Sequence, residues 1–144
     1  MIDARTAPYA ALVLRLVLAG LFFAHLYQKF FMRGLSAWWG GLQKAGYPDW
    51  TLYYTLSAEF AAAVLLTLGI YTRYVSLFAL PMMIAATHFW FARKGFYFTD
   101  AGWEFPLTWS FMLLIQALLG DGAYAVRMPV LPWDRQGHRD AVRA

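Results

Sequence analysis

The chain has 144 residues, of which 61% are hydrophobic, 19% aromatic and only 14% charged, with a net charge of +4. That length makes one domain, and so large an apolar share argues against a soluble globular domain and for the membrane class. The absence of cysteine removes disulfides, iron–sulfur clusters, covalently attached haem and thiol redox chemistry, and basic residues that flank apolar segments give nucleic-acid binding no support.

The first predicted span runs from Tyr9 to Phe31. As a helix it is roughly 34 Å long, enough for a hydrocarbon core of about 30 Å. It exceeds a signal-peptide core and lacks a small-residue cleavage site before a polar chain, so it is expected to stay in the mature protein. Arg15, Leu18, Phe22, His25 and Lys29 follow one another at alternating spacings of three and four. Those spacings place them on one helical face, turned inward.

The first connection, RGLSAWWGGLQKAGYPDW, mixes aromatic residues, glycines and single charges. It is predicted to form a short amphipathic helix in the membrane interface, anchored by Trp38, Trp39, Tyr47 and Trp50. A second span, Trp50 to Ile70, carries Glu59 and the small residues Ala58, Ala61, Ala62 and Ala63. After the short turn Tyr71 to Arg73, a third span from Tyr74 to Phe91 contains Pro81, Ala85, Ala86 and His88. The alanines are expected to make close-packed seams, and Pro81 to bend its helix and free a carbonyl. The connection ARKGFYFTDAGWE is read as a hairpin or a cap, and Glu104 stands at the entrance to a fourth span, Phe105 to Leu119. Residues 120–144, with Gly120, Gly122, Pro129 and Pro132, are read as an extended tail.

These spans predict an all-α, integral membrane four-helix bundle, a single domain over residues 1–144. Both termini and the short turn then share one face. Arg5, Arg73, Arg127, Arg135, Arg139 and Arg143 lie there, against Arg33, Lys44, Arg93 and Lys94 on the other. The excess of basic residues places the termini in the cytoplasm.

Ionisable residues inside spans mark candidate sites. By helical rise, Arg15 can reach toward Glu59, which gives either a structural ion pair or an electrostatic support for a pocket. His25, Lys29, His88 and Glu104 all fall in the outer half of the spans. A histidine can donate to a quinone carbonyl and pass a proton, a lysine can stabilise a developing anion, and a carboxylate can relay protons. This inventory fits a quinone site with His25, Lys29, Glu59 and His88 as its chemical residues and Arg15, His25, His88 and Glu104 as its binding residues. A b-type haem between His25 and His88, or a metal on His25, His88 and Glu59 or Glu104, are the alternative cofactors.

Arg15 with GLFFAHLYQKFF, Glu59 followed by LLTLGIYTR, PMMIAATHF, WEFPL and a closing Gly-Asp-Gly together resemble the DoxX family of small four-helix membrane proteins, over roughly residues 10 to 125. The resemblance implies a multi-pass protein of the bacterial inner membrane, linked to quinone-coupled redox chemistry, as in the small subunit of thiosulfate:quinone oxidoreductase. By position, Arg15, His25, Lys29, Glu59, Arg73, His88 and Glu104 match the family's recurring polar residues. The chain departs from the family in having Leu26 after the histidine, Ala61 and Ala62 in place of a glycine pair, and Asp121 where proline is usual.

Two functions follow as expectations. One is a quinone-binding subunit of an oxidoreductase system, in contact with the bilayer and with a protein partner or further copies of itself. The other is a non-catalytic accessory or assembly subunit whose aromatic loops pack against a larger complex. A proton or small-molecule pathway is a third reading, and it needs a polar route from Glu59 to both faces.

Overall fold

The computed structural model describes residues 5–126, and these form five α-helices and no strand. They are α1 (Ala7–Tyr27), α2 (Leu35–Lys44), α3 (Trp50–Leu68), α4 (Thr72–Phe91) and α5 (Glu104–Leu119), with a π-helical turn, Gln28–Met32, continuing α1. With that turn α1 becomes a 26-residue rod, and it, α3 and α4 are each long and apolar enough to cross a membrane. At 16 residues, α5 is an apolar helix of about 24 Å.

α1 packs on α3 and α5, and α4 on the same two helices. Contacts between Lys29 and Glu59, Phe22 and Trp109, and Arg73 and Ala117 show that successive neighbours run antiparallel. One end of the molecule therefore holds the start of α1, the turn between α3 and α4, and residues 120–126. The opposite, distal end holds α2 and the connection between α4 and α5.

The interior is built from Leu18, Phe22, Leu66, Leu113 and Trp109, with Ala58, Ala62, Ala63 and Ala79 fully buried between the helices. The expected seam on α3 is present, but its partner on α4 is Ala79: Ala85 is exposed and Ala86 only half-buried. Around the outside, Val13, Val17, Phe23, Phe60, Val64, Leu77, Ile84, Phe111, Ile115 and Leu118 are exposed. An apolar outer surface of this extent suits lipid and not water.

Two turns are set by backbone chemistry. Gly69 closes α3 at φ 71°, the left-handed position that a glycine enters without a side-chain penalty, and Ile70 N–H donates back to the Leu65 carbonyl at 2.9 Å. α4 runs continuously through Pro81. Because Pro81 has no N–H for the Leu77 carbonyl, that turn of the helix is opened, and the Tyr54 hydroxyl of α3 donates to the adjoining Phe78 carbonyl at 2.7 Å. We expect Tyr54→Phe to lower stability by about 1 kcal/mol, measured by unfolding in detergent. An unchanged midpoint would show that the carbonyl is satisfied without Tyr54.

The connection between α4 and α5 is a closed loop with no strand pairing. Trp103 N–H reaches the Gly95 carbonyl at 3.3 Å and Glu104 N–H the Phe96 carbonyl at 3.0 Å, around a short 3-10 turn, Phe98–Asp100. Residues 120–126 are likewise not an extended tail. They fold back under the helices, with Ala123 N–H donating to the Pro8 carbonyl at 2.9 Å and Val126 N–H to that of Leu68 at 3.0 Å. The rest of the expected tail, residues 127–144, lies outside the described residues, and so do Arg127, Arg135, Arg139 and Arg143 of the charge count.

Candidate functional site

The expected inward face of the first helix is present: Arg15, Leu18, Phe22 and Lys29 are buried and His25 is half-buried. Its two cations have partners other than those their depth suggests. Arg15 does not pair with Glu59. Its Nη1 donates to the Asp121 carbonyl at 2.5 Å, and its Nη2 to the carbonyls of Ala123 at 3.2 Å and Tyr124 at 3.5 Å. The guanidinium is thus a clasp on the segment after α5, at the end opposite the candidate pocket. Asp121 completes the clasp, since its Oδ1 accepts from Thr72 N–H at 3.0 Å and so caps α4 from 49 residues away.

Glu59 pairs with Lys29, whose Nζ donates to Glu59 Oε1. Both side chains are only 5% exposed, so this ion pair is inside the protein. The geometry follows from how side chains leave a helix: each Cα–Cβ bond tilts toward its own helix N-terminus. On antiparallel α1 and α3, Lys29 therefore leans inward and Glu59 leans outward, and the two meet. Lys29 sits in the π-helical turn, where Arg33 N–H reaches back five residues to the Gln28 carbonyl at 2.9 Å. Such widened turns often occur at functional sites, and neither spacing nor composition announced this one.

Two further groups complete the surroundings. The Trp38 ring of α2 lies over Lys29 Nζ, 4.7 Å from ammonium to ring centre, so this residue faces the ion pair. One turn back on α1, His25 meets Trp109 of α5 edge-on, with ring centres 4.9 Å apart. Glu59 Oε2 and Trp109 Nε1 are buried and have no hydrogen-bond partner among the described residues. An acceptor and a donor left over inside the apolar interior are the polar atoms a ligand can use.

The remaining expected site residues are not drawn into this group. His88 is exposed on α4, and none of the described residues hydrogen-bonds or ion-pairs with its ring. Glu104 is turned to its own loop, where Oε2 accepts from Phe98 N–H at 3.1 Å. Arg73 Nε donates to the Ala117 carbonyl at 3.0 Å and ties α4 to α5. Among the described residues no three His, Asp or Glu side chains gather as a metal site. His25 faces α5 while His88 lies on the exposed side of α4, which does not fit an axial pair for haem.

An apolar outer surface, three helices long enough to span and an ion pair sealed between two of them define a helical multi-pass membrane protein. A family model for DoxX matches residues 10–93, more than half of the chain, and the protein belongs to the DoxX family. The matched segment contains Arg15, His25, Lys29, Glu59, Arg73 and His88, whereas Glu104 and the Gly-Asp-Gly closure lie beyond it. No curated protein and no solved structure matches the chain.

Proposed function

We propose that this chain is the membrane subunit of a quinone-linked oxidoreductase system in the bacterial inner membrane. In this reading α1, α3, α4 and α5 form a four-helix transmembrane bundle with cytoplasmic termini, and α2 lies in the outer interface. The quinone site is the polar group in the outer half, made by His25, Lys29 and Glu59 with Trp38 and Trp109. The observation that carries the reading is the buried Lys29–Glu59 pair, whose ammonium lies under the Trp38 ring and whose Glu59 Oε2 has no hydrogen-bond partner among the described residues.

A bound quinone supplies two-electron chemistry, taking up two electrons and two protons to become a quinol. Lys29 holds a positive charge where negative charge develops on a carbonyl oxygen. His25 donates a ring N–H hydrogen bond to a carbonyl oxygen, and Glu59 accepts from a hydroxyl through Oε2. Arg15 acts at a distance by tying down the segment after α5. With no cysteine in the chain, electrons come from a partner protein or directly from the substrate. His88 and Glu104 stand outside the pocket.

Titration of a short-chain quinone analogue against the purified protein in lipid nanodiscs tests this. We expect saturable binding, weakened about tenfold by His25→Ala, the loss of one good hydrogen bond, and unchanged by His88→Ala. No binding, or binding indifferent to His25, sinks the proposal. The accessory-subunit reading gains if a specific protein partner co-purifies and no quinone is bound.

A further inference from the structure

Among the described α-helices, α2 is the least anchored. None of its residues is buried, and its principal neighbour is the π-helical turn that carries Lys29. Both of its ends pass through glycines with positive φ, Gly34 at 79° and Gly46 at 85°. A Cβ at either glycine would meet nothing within 4 Å, so what these positions require is backbone freedom and not a close approach. Hinges of moving elements are a few such end positions that absorb the change in backbone angle.

From this loosely held helix a single ring reaches the buried ion pair. Trp38 covers Lys29 Nζ, while Trp39, 6.4 Å from Trp38 between ring centres, makes no such contact. An indole face that receives an ammonium also receives a flat ring, since both use the same negative π-surface or its edge-offset stacking. Beneath it Lys29 is a donor, and on the carboxylate bonded to Lys29 the second oxygen, Glu59 Oε2, is an acceptor with no partner among the described residues. The three together match a planar, lipid-soluble ring that carries an oxygen acceptor and a hydroxyl donor.

We propose that Trp38 is the movable wall of the ligand site: α2 swings on Gly34 and Gly46 as a flap, and a planar lipid-soluble ring enters beneath it and stacks on the indole. The identity of that ring rests on the quinone reading, but the flap does not. Entry from the interface follows from the position of α2, because a flap at the distal end of α1 opens at the level where a ring partitions from the bilayer. The ion pair stays closed from lipid and water until the flap moves.

The test uses the full chain in nanodiscs and a small amine-reactive reagent, with the label at each lysine read by mass spectrometry. Lys44 and Lys94 serve as internal references. We expect Trp38→Ala to raise the labelling rate of Lys29 about tenfold, the equilibrium factor expected when one desolvated cation–π contact is lost, with Trp38→Phe close to wild type and Trp39→Ala without effect. An unchanged rate in Trp38→Ala, or an equal rise in Trp39→Ala, overturns the flap. In a second arm, Trp38→Ala weakens binding of a short-chain quinone analogue about tenfold and Trp38→Phe retains it. Equal binding by wild type and Trp38→Ala overturns the wall while leaving the quinone reading intact. If wild type binds no analogue and the labelling still responds, the quinone reading falls and the flap stands.

Discussion

Replacing either member of the buried pair, by Lys29→Ala or Glu59→Ala, is expected to destabilise the protein by about 3–5 kcal/mol, the cost of leaving one buried charge without its partner. The two side chains are 5% exposed and bonded to each other, and they lie where water cannot replace the missing group. The double variant Lys29→Met with Glu59→Met is expected to recover most of that loss. Two apolar side chains of similar volume remove both desolvation penalties at once and can match or exceed an ion pair. Unfolding in detergent measures the first effect and the recovery. Quinone titration of the double variant then separates structure from function. A protein that is stable but no longer binds the analogue shows that the pair is there for a ligand, whereas a stable protein with full binding reduces the pair to a register device.

The second large effect is expected at the opposite end. Arg15→Met should cost roughly 2–4 kcal/mol, because it removes charge-assisted hydrogen bonds to three carbonyls that have folded under the helices. Those carbonyls, on Asp121, Ala123 and Tyr124, belong to a segment otherwise held by a few backbone hydrogen bonds and by the Asp121 carboxylate on Thr72 N–H. Arg15→Lys keeps the charge but not the planar fork that engages several acceptors, so it should rescue only part of the loss. Gly69→Ala should act on the same clasp from the other side, since at φ 71° a new Cβ would run into the Arg15 guanidinium and the Ala125 backbone. Limited proteolysis is the direct readout, with cleavage within residues 120–126 expected to accelerate in Arg15→Met and Gly69→Ala. If cleavage there is as slow as in wild type, the segment is held by something other than Arg15.

The clasp also gives meaning to a departure from the family pattern. Asp121 stands where the resemblance leads one to expect proline, and a proline there would offer no side-chain acceptor. In this chain the carboxylate accepts from Thr72 N–H and caps the start of α4, while its own carbonyl holds Arg15. One residue thereby joins three elements that are far apart in the sequence.

The apolar helices were legible because length and apolar content are properties of consecutive residues. α1 with its π-helical turn, α3, α4 and α5 begin and end within a few residues of the expected segments, and the inward face through Arg15, Leu18, Phe22 and Lys29 follows from helical spacing alone. The amphipathic helix after the first span was legible for the same reason, and so was the family.

Which polar residues meet was decided only by the tertiary structure. Depth counted along each chain pairs Arg15 with Glu59 and gathers His25, Lys29, His88 and Glu104 at one level. Depth, however, takes no account of the direction in which a side chain leaves its helix or of the rotation of one helix against the next. The tilt of Cβ toward each N-terminus brings Lys29 down and Glu59 up until they touch. The rotation of α4 leaves His88 outside, and the closure of its own loop claims Glu104. Trp38 over Lys29, Trp109 against His25 and Asp121 beneath α4 are contacts between residues 9, 84 and 49 positions apart, respectively. The sequence by itself determined that this chain is a set of membrane helices with charges inside them. The packing determined which charges neutralise each other, because an ion in a low-dielectric interior settles on whichever partner the helix rotations bring within reach.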